Sequence, residues 1–181
     1  KIRRSVKTIR SPLINRIRFL FLGSWESIFR IMNSSSGLAF QHKIDHTRRM
    51  QTIAVVIPCF KVKAAILKVI QEIPASVNYI IAVDDACPQK SGESIKSSIT
   101  DPRVIVLTHS ENQGVGGAVV TGYKKALELN VDVVVKVDGD GQMNPALIPK
   151  FVEPIFSGRA DYTKGNRFFK RSYLNKRSEE H

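Results

Sequence analysis

Residues 131–145 read VDVVVKVDGDGQMNP, and the reading of this stretch decides the fold. Five of the seven residues at 131–137 are valine. A run so continuous does not suit a strand with one wet face, so it predicts a strand buried on both sides of a sheet. Asp138 and Asp140 fall at its carboxyl end, the edge at which open parallel sheets bind ligands. Residues at i and i+2 of an extended chain point the same way. The two carboxylates therefore lie side by side, where they repel each other unless a cation joins them. Taken alone, the element reads equally as a metal site and as a structural turn, because Asp-Gly is a favoured turn pair. Lys136 alternates in orientation with Val137 and reads as structural.

Upstream the pattern is regular: strand 52–58 (TIAVVIP), helix 62–73, strand 79–83, helix 93–99, strand 104–107, helix 115–129, then the valine strand. The first helix carries Val62, Ala65, Ile66, Val69, Ile70 and Ile73 on one face, the stripe that covers a sheet. Downstream, Pro145 suits the first turn of a helix running to about 155, with Asn144 as its cap. A strand at 160–164 follows. Strands alternating with helices predict an α/β domain with a mostly parallel sheet flanked by helices. There is no internal repeat.

At 181 residues and 43% hydrophobic content, the chain can bury one substantial core and has no room for a second full domain. Its net charge of +12 is uneven. Residues 1–50 hold eleven Lys or Arg against two acids, and residues 51–181 hold seventeen against fourteen. That divides the chain into a basic N-terminal segment and linker (1–50), the α/β domain (51–170) and a basic tail (171–181). Within the first segment, Leu13, Ile17, Leu20, Phe21, Ile28 and Ile31 recur at roughly helical spacing, which predicts an amphipathic helix over 13–32, bent near Gly23. Arg16, Arg18, Glu26 and Arg30 interrupt it, so it is not a membrane span. It suits an acidic lipid surface and a packed helix equally. His42 and His46 are an i, i+4 pair with no third ligand at metal-site spacing, and read as solvated linker residues. Cys59 and Cys87 are too few for a disulfide framework. Both are expected as buried free thiols.

Three loops leave successive strand ends before the aspartates: PCFK at 58–61, DDACPQKSG at 84–92 and HSENQGVGGA at 109–118. They converge on one rim. Pro58 and the ring of Phe60 can stack a base, and Asp84 or Asp85 can accept hydrogen bonds from base or ribose. Gly114, Gly116 and Gly117 open a helix, allowing close backbone approach to a phosphate and aiming helix N–H groups at it. GVGGA matches neither the dinucleotide fingerprint nor the GxxxxGK[ST] loop. The specificity lies in the joint order of the loops.

VVIPCFK, VDDACPQKSG, NQGVGGAVVTGYKKAL, VDGDGQMNP and DYTKGNRF, in that order, resemble a family 2 glycosyltransferase of the GT-A fold. The likeness extends to the dolichyl- or polyprenyl-phosphate sugar synthases and covers residues 52–170. The resemblance implies that Asp138 and Asp140 form a DxD element holding Mg²⁺ or Mn²⁺ against the diphosphate of a nucleotide sugar, with Gln142 as a further contact to the metal. It implies that Pro58, Phe60 and Asp85 cradle the nucleoside, with Asp84 nearby, and that Arg167, assisted by Lys164, faces the phosphates. The first loop departs from the pattern, with Lys61, Val62 and Lys63 where many members have Asn and a carboxylate.

The resulting expectation is an inverting transferase moving a hexose from a UDP- or GDP-sugar to polyprenyl phosphate. It would sit at the inner, cytoplasmic face of a membrane, with the N-terminal segment on acidic lipid and no nucleic-acid partner. Members continue past the GNRF-like element into the acceptor side of the site, so the domain is expected to be truncated at its C-terminal end. Two alternatives stand: a sugar nucleotidyltransferase, which calls for a glycine-rich, arginine-containing loop where this chain has PCFKVKAA, and a non-catalytic basic membrane-binding fragment.

Overall fold

The computed structural model describes residues 18–21 and 51–165. Arg167, His42, His46 and the tail lie outside them. Six strands form one wholly parallel sheet: β1 (Arg18–Phe21), β2 (Ile53–Cys59), β3 (Tyr79–Asp84), β4 (Val104–Thr108), β5 (Val133–Lys136) and β6 (Tyr162–Lys164), in the spatial order β4-β3-β2-β5-β1-β6. Among the described residues four helices follow β2 to β5 in turn: α1 (Ile66–Gln71), α2 (Ser91–Ser98), α3 (Gly114–Glu128) and α4 (Ile148–Phe156). Among the described residues no helix is long and apolar enough to cross a membrane.

Strand alternation sorts the core into two layers. Ile53, Val55, Ile57 and Cys59 of β2 join Val133, Val135 and Val137 on the face covered by α1, α2 and α4. Ala54, Val56 and Val134 lie on the opposite face beneath Ala118, Val119, Tyr123 and Ala126 of α3. The valine strand is buried throughout, as its composition requires. α3 lies so close to β2 that a Cβ at Gly122 would stand 2.3 Å from Val56 Cγ1. Asn144 caps the turn at 145–147, its Oδ1 accepting from Ala146 N at 3.0 Å.

The structure corrects the expectation for the N-terminal segment. Arg18–Phe21 is not helical but a strand, paired with β5 on one side and β6 on the other. A short apolar run such as IRFLFL satisfies both helical and extended periods. Here the unpaired ladder of β5 decides for strand, since a buried row of backbone donors and acceptors must find partners. A smaller difference concerns α1, which starts at Ile66 rather than 62 because residues 63–65 form a turn.

From β2 the chain steps outward through β3 to β4, then crosses back to place β5 on the other side of β2. β2 and β5 thus stand where the strand order reverses, and it is beyond the carboxyl ends of such strands that open α/β sheets take their ligands.

Candidate functional site

Because all six strands run in parallel, their carboxyl ends share one rim. Cys59 pairs with Asp84, and Asp84 with Thr108. Phe60, Asp85 and His109 consequently leave the sheet at one level, with Asp85 N donating to Cys59 O (3.1 Å) and His109 N to Asp84 O (2.9 Å). Along the other edge of β2, Val56 pairs with Lys136, which places Asp138 roughly level with Pro58. Lys164 ends β6 on the same rim, separated from β5 by β1, about 10 Å along the sheet.

Phe60 is exposed, as a stacking surface requires, and Lys61 Nζ lies 5.3 Å from its ring centroid. Asp84 and Asp85 are both buried but differ in use. Asp84 is engaged inward, Oδ1 accepting from Cys87 N (2.7 Å) and Oδ2 from Gly92 N (2.5 Å). A Cβ at Gly92 would be 2.7 Å from that second oxygen, so the contact needs glycine. Asp84 is thus the residue that shapes its loop and starts α2.

Asp85 reaches across to the third loop. Its Oδ1 accepts from Gln113 N (2.9 Å) and from His109 Nδ1 (2.7 Å), while His109 Nε2 lies 2.9 Å from Thr121 Oγ1. Nδ1–H donates to the carboxylate, and Nε2 shares a hydrogen bond with the threonine hydroxyl. This chain fixes one face of Asp85 and ties the start of α3 to the β3 loop. The sequence reading passed over His109 and Thr121. The available signal was the adjacency of β3 and β4, which brings the first residues of their loops together.

The glycines serve geometry in different ways. Gly114 has φ of +76°, and its N–H is taken by Asn112 Oδ1 at 2.8 Å. A Cβ at Gly117 would be 2.5 Å from Gln113 Cβ, so that glycine lets Gln113 fold against the helix. The space beside Gly116 is open.

At the carboxylate turn, Asp138 is partly exposed, and Asp140 and Gln142 are exposed. Asp140 Oδ1 accepts from Gln142 N at 3.0 Å, which closes the turn. A Cβ at Gly139 would stand 3.2 Å from Val62 Cγ2 and 3.3 Å from Ile66 Cδ1. The glycine between the aspartates thus seats the turn against the first loop and α1, and Val62, one of the residues departing from the family pattern, forms part of that seat. Asp138 pairs with the ammonium of Lys136, a buried lysine that the sequence reading assigned only to packing.

The donor set at this turn, two carboxylates and a side-chain amide, is all oxygen and suits Mg²⁺ or Mn²⁺. Among the described residues no group of three His, Cys, Asp or Glu could hold a metal ion. That does not disqualify the turn, because Mg²⁺ is commonly held by one or two carboxylates together with substrate phosphates.

The two thiols are free and differ in character. Burial, reinforced by Asp84 and Cys87, pushes Cys59 up to about 12. Burial also acts to raise Cys87, but hydrogen bonds from Ser91, Lys61 N and Gln89 N outweigh it and hold that thiol below its ordinary value. Since the thiolate is the reactive form, brief alkylation at pH 8 is expected to label Cys87 about tenfold or more faster than Cys59. Peptide mass spectrometry checks this; equal labelling would contradict the arrangement.

Of the four non-glycine residues with left-handed backbone among the described residues, three lie at the same rim, Lys61 (φ 58°), Ala86 (φ 50°) and Lys90 (φ 55°), and the fourth, Asn130 (φ 53°), in the turn before β5. Such conformations persist where the surroundings over-determine them, and functional loops are a common setting.

Residues 54–180 match the family model for glycosyl transferase family 2, and the chain belongs to that family. It is 33% identical over 130 residues to a UDP-N-acetylglucosamine–dolichyl-phosphate N-acetylglucosaminyltransferase of Methanococcus voltae, covering 64% of this chain and 51% of the relative. It is 35% identical over 89 residues to an undecaprenyl-phosphate mannosyltransferase of Micrococcus luteus, covering 49% and 36%. To a dolichol-phosphate mannosyltransferase of Pyrococcus furiosus it is 30% identical over 122 residues, covering 65% and 34%. The chain spans about half the length of these relatives or less. Membership of this family favours the glycosyltransferase expectation over the nucleotidyltransferase alternative.

Proposed function

We propose that this chain carries the nucleotide-sugar half of an inverting hexosyltransferase that uses a UDP- or GDP-sugar donor and a polyprenyl phosphate acceptor. The observation that carries the proposal is the shared rim: Phe60, the His109-held Asp85 and the Asp138–Asp140 turn all follow the carboxyl ends of neighbouring parallel strands, where the strand order reverses between β2 and β5. Relatives named for transfer to dolichyl or undecaprenyl phosphate support the acceptor class.

In this reading Pro58 and Phe60 stack the base, and Asp85, oriented by His109 and Gln113 N, offers a fixed acceptor to base or ribose. Asp138 and Asp140, with Gln142, hold the divalent cation, which when bound supplies a Lewis acid for the negative charge that builds on the departing nucleoside diphosphate. Lys164 and Arg167 fall to the phosphates by resemblance. An acceptor phosphate is already anionic near neutral pH, so its oxygen attacks the anomeric carbon with no general base, whereas a hydroxyl acceptor would call for one. The positive excess of residues 1–50 suits the anionic cytoplasmic surface at which a lipid phosphate is presented.

Calorimetry of the chain with UDP and with GDP, each with and without Mn²⁺, tests the core of the proposal. Metal-dependent binding of at least one nucleotide is expected. Binding of neither, or binding indifferent to Mn²⁺, would remove it.

A further inference from the structure

Lys136 sits in the interior of the sheet, between Val56 of β2 and Phe21 of β1 in register, and is only 6% exposed. Val133, Val135 and Val137 face the α1 layer, while Val134 faces α3. Strand alternation therefore sends Lys136 and Asp138 to the α3 side, where the two side chains form an ion pair. Among the described residues Asp138 is the one acidic partner of this lysine. An apolar residue would fill a strand position flanked by valines at lower desolvation cost than a lysine. The ammonium is held there against one of the two carboxylates that the proposed function assigns to the cation.

We propose that Lys136 is an internal counter-cation that keeps the Asp138 carboxylate from taking a bare divalent metal, so that metal and nucleoside diphosphate enter together. The inference rests on the reading of Asp138 and Asp140 as metal carboxylates. A divalent ion arriving alone at Asp138 meets a positive charge a few ångströms away in a partly buried site, where repulsion is weakly screened. A diphosphate arriving with the metal brings the compensating negative charge and gives the displaced ammonium a phosphate oxygen to bond. Each ligand then raises the affinity for the other, and the coupling is reciprocal. Lys136 is accordingly a positioning and gating residue that sets the order of assembly at the diphosphate.

The test follows Mn²⁺ uptake by electron paramagnetic resonance, without nucleotide and with UDP or GDP, for the native chain, Lys136→Met, Lys136→Gln and Lys136→Arg. The native chain is expected to bind Mn²⁺ about tenfold or more tightly with its nucleotide than without. Met and Gln are expected to tighten binding of bare Mn²⁺ by a similar factor and to shrink the nucleotide effect, while Arg preserves the native pattern. Met keeps the length of the stem and Gln keeps a polar end for Asp138, so either variant carries the comparison if the other fails to fold. Bare-Mn²⁺ affinity unchanged in Met and Gln, or a native chain whose Mn²⁺ affinity ignores nucleotide, overturns the inference while leaving the metal site standing. No Mn²⁺ uptake by the native chain under any condition overturns the metal reading of Asp138 and Asp140, and this inference with it.

Discussion

Asp140→Asn is expected to abolish metal-dependent nucleotide binding and to lower hexosyl transfer about 100-fold or more, with little change in the melting temperature. Loss of outer partners of a metal site costs about 10–100-fold, so loss of a direct ligand falls at or beyond the upper end. The fold is spared because Asp140 is exposed and an asparagine oxygen can still accept from Gln142 N. Asp138→Asn is expected to cost as much activity, but stability as well, because it strips the buried Lys136 of its countercharge. Removing one member of a buried pair costs about 3–5 kcal/mol, and the partial exposure of Asp138 places this case at the lower end or below. Adding Lys136→Met to Asp138→Asn should recover the stability without the activity. Calorimetry with UDP or GDP and Mn²⁺, beside thermal melts of all four proteins, separates these effects. Nucleotide binding that needs no metal and is unchanged by both aspartate substitutions would refute the site.

Gly122→Val is expected to be the most damaging single change to the fold, at about 3 kcal/mol or more. Alanine in place of glycine within a helix ordinarily gains about 1 kcal/mol. Here even that Cβ would stand 2.3 Å from Val56 Cγ1, at a fully buried position in the central strand, so α3 must lift from the sheet. Valine adds two methyl groups in the same place. The damage reaches the site, because β2 runs into Pro58 and Phe60 while α3 begins at the rim beside Gln113. Val56→Ala makes room for the new atoms, so Gly122→Ala with Val56→Ala is expected to be more stable than the two single losses combined, by about 1 kcal/mol. Chemical denaturation of the four proteins measures this coupling, and strictly additive losses would show that the close approach is not what the glycine serves.

The parts of this protein that could be read from sequence are those governed by local pattern. The valine run announced a strand buried on both faces, and the turn that follows it lies at a carboxyl end, as the aspartates implied. Asn144 and Pro145 marked the next element correctly because capping is a matter of neighbouring residues. What depended on distant partners was hidden. The helical reading of residues 18–21 failed because the choice was made by the open edge of β5, more than a hundred residues away. By residue chemistry alone Asp84 and Asp85 are interchangeable, and only the family resemblance singles out Asp85; the fold engages Asp84 with Cys87 and Gly92 and turns Asp85 toward His109 and Gln113. Gly117 reads as a phosphate glycine from its place at the helix start, and the fold adds a packing reason for it that sequence does not show, since a Cβ there would meet Gln113. Lys136 was half legible: the spacing of two that pairs it with Asp138 is plain, yet only the depth of burial reveals that the pair is sealed into the sheet.

The pairing of Arg18 with Val133 has a consequence for how the molecule is made. During synthesis the N-terminal strand emerges long before β5 exists to receive it, and must wait while β2, β3 and β4 assemble. Closing so long a loop is entropically costly, and contacts of such separation are among the slow ones in folding. Until β1 docks, β5 is an open edge of three valines and a lysine, the kind of surface on which other chains pair. β1 is therefore a late-arriving cover for β5, and the interval before it docks leaves that edge open to misassociation.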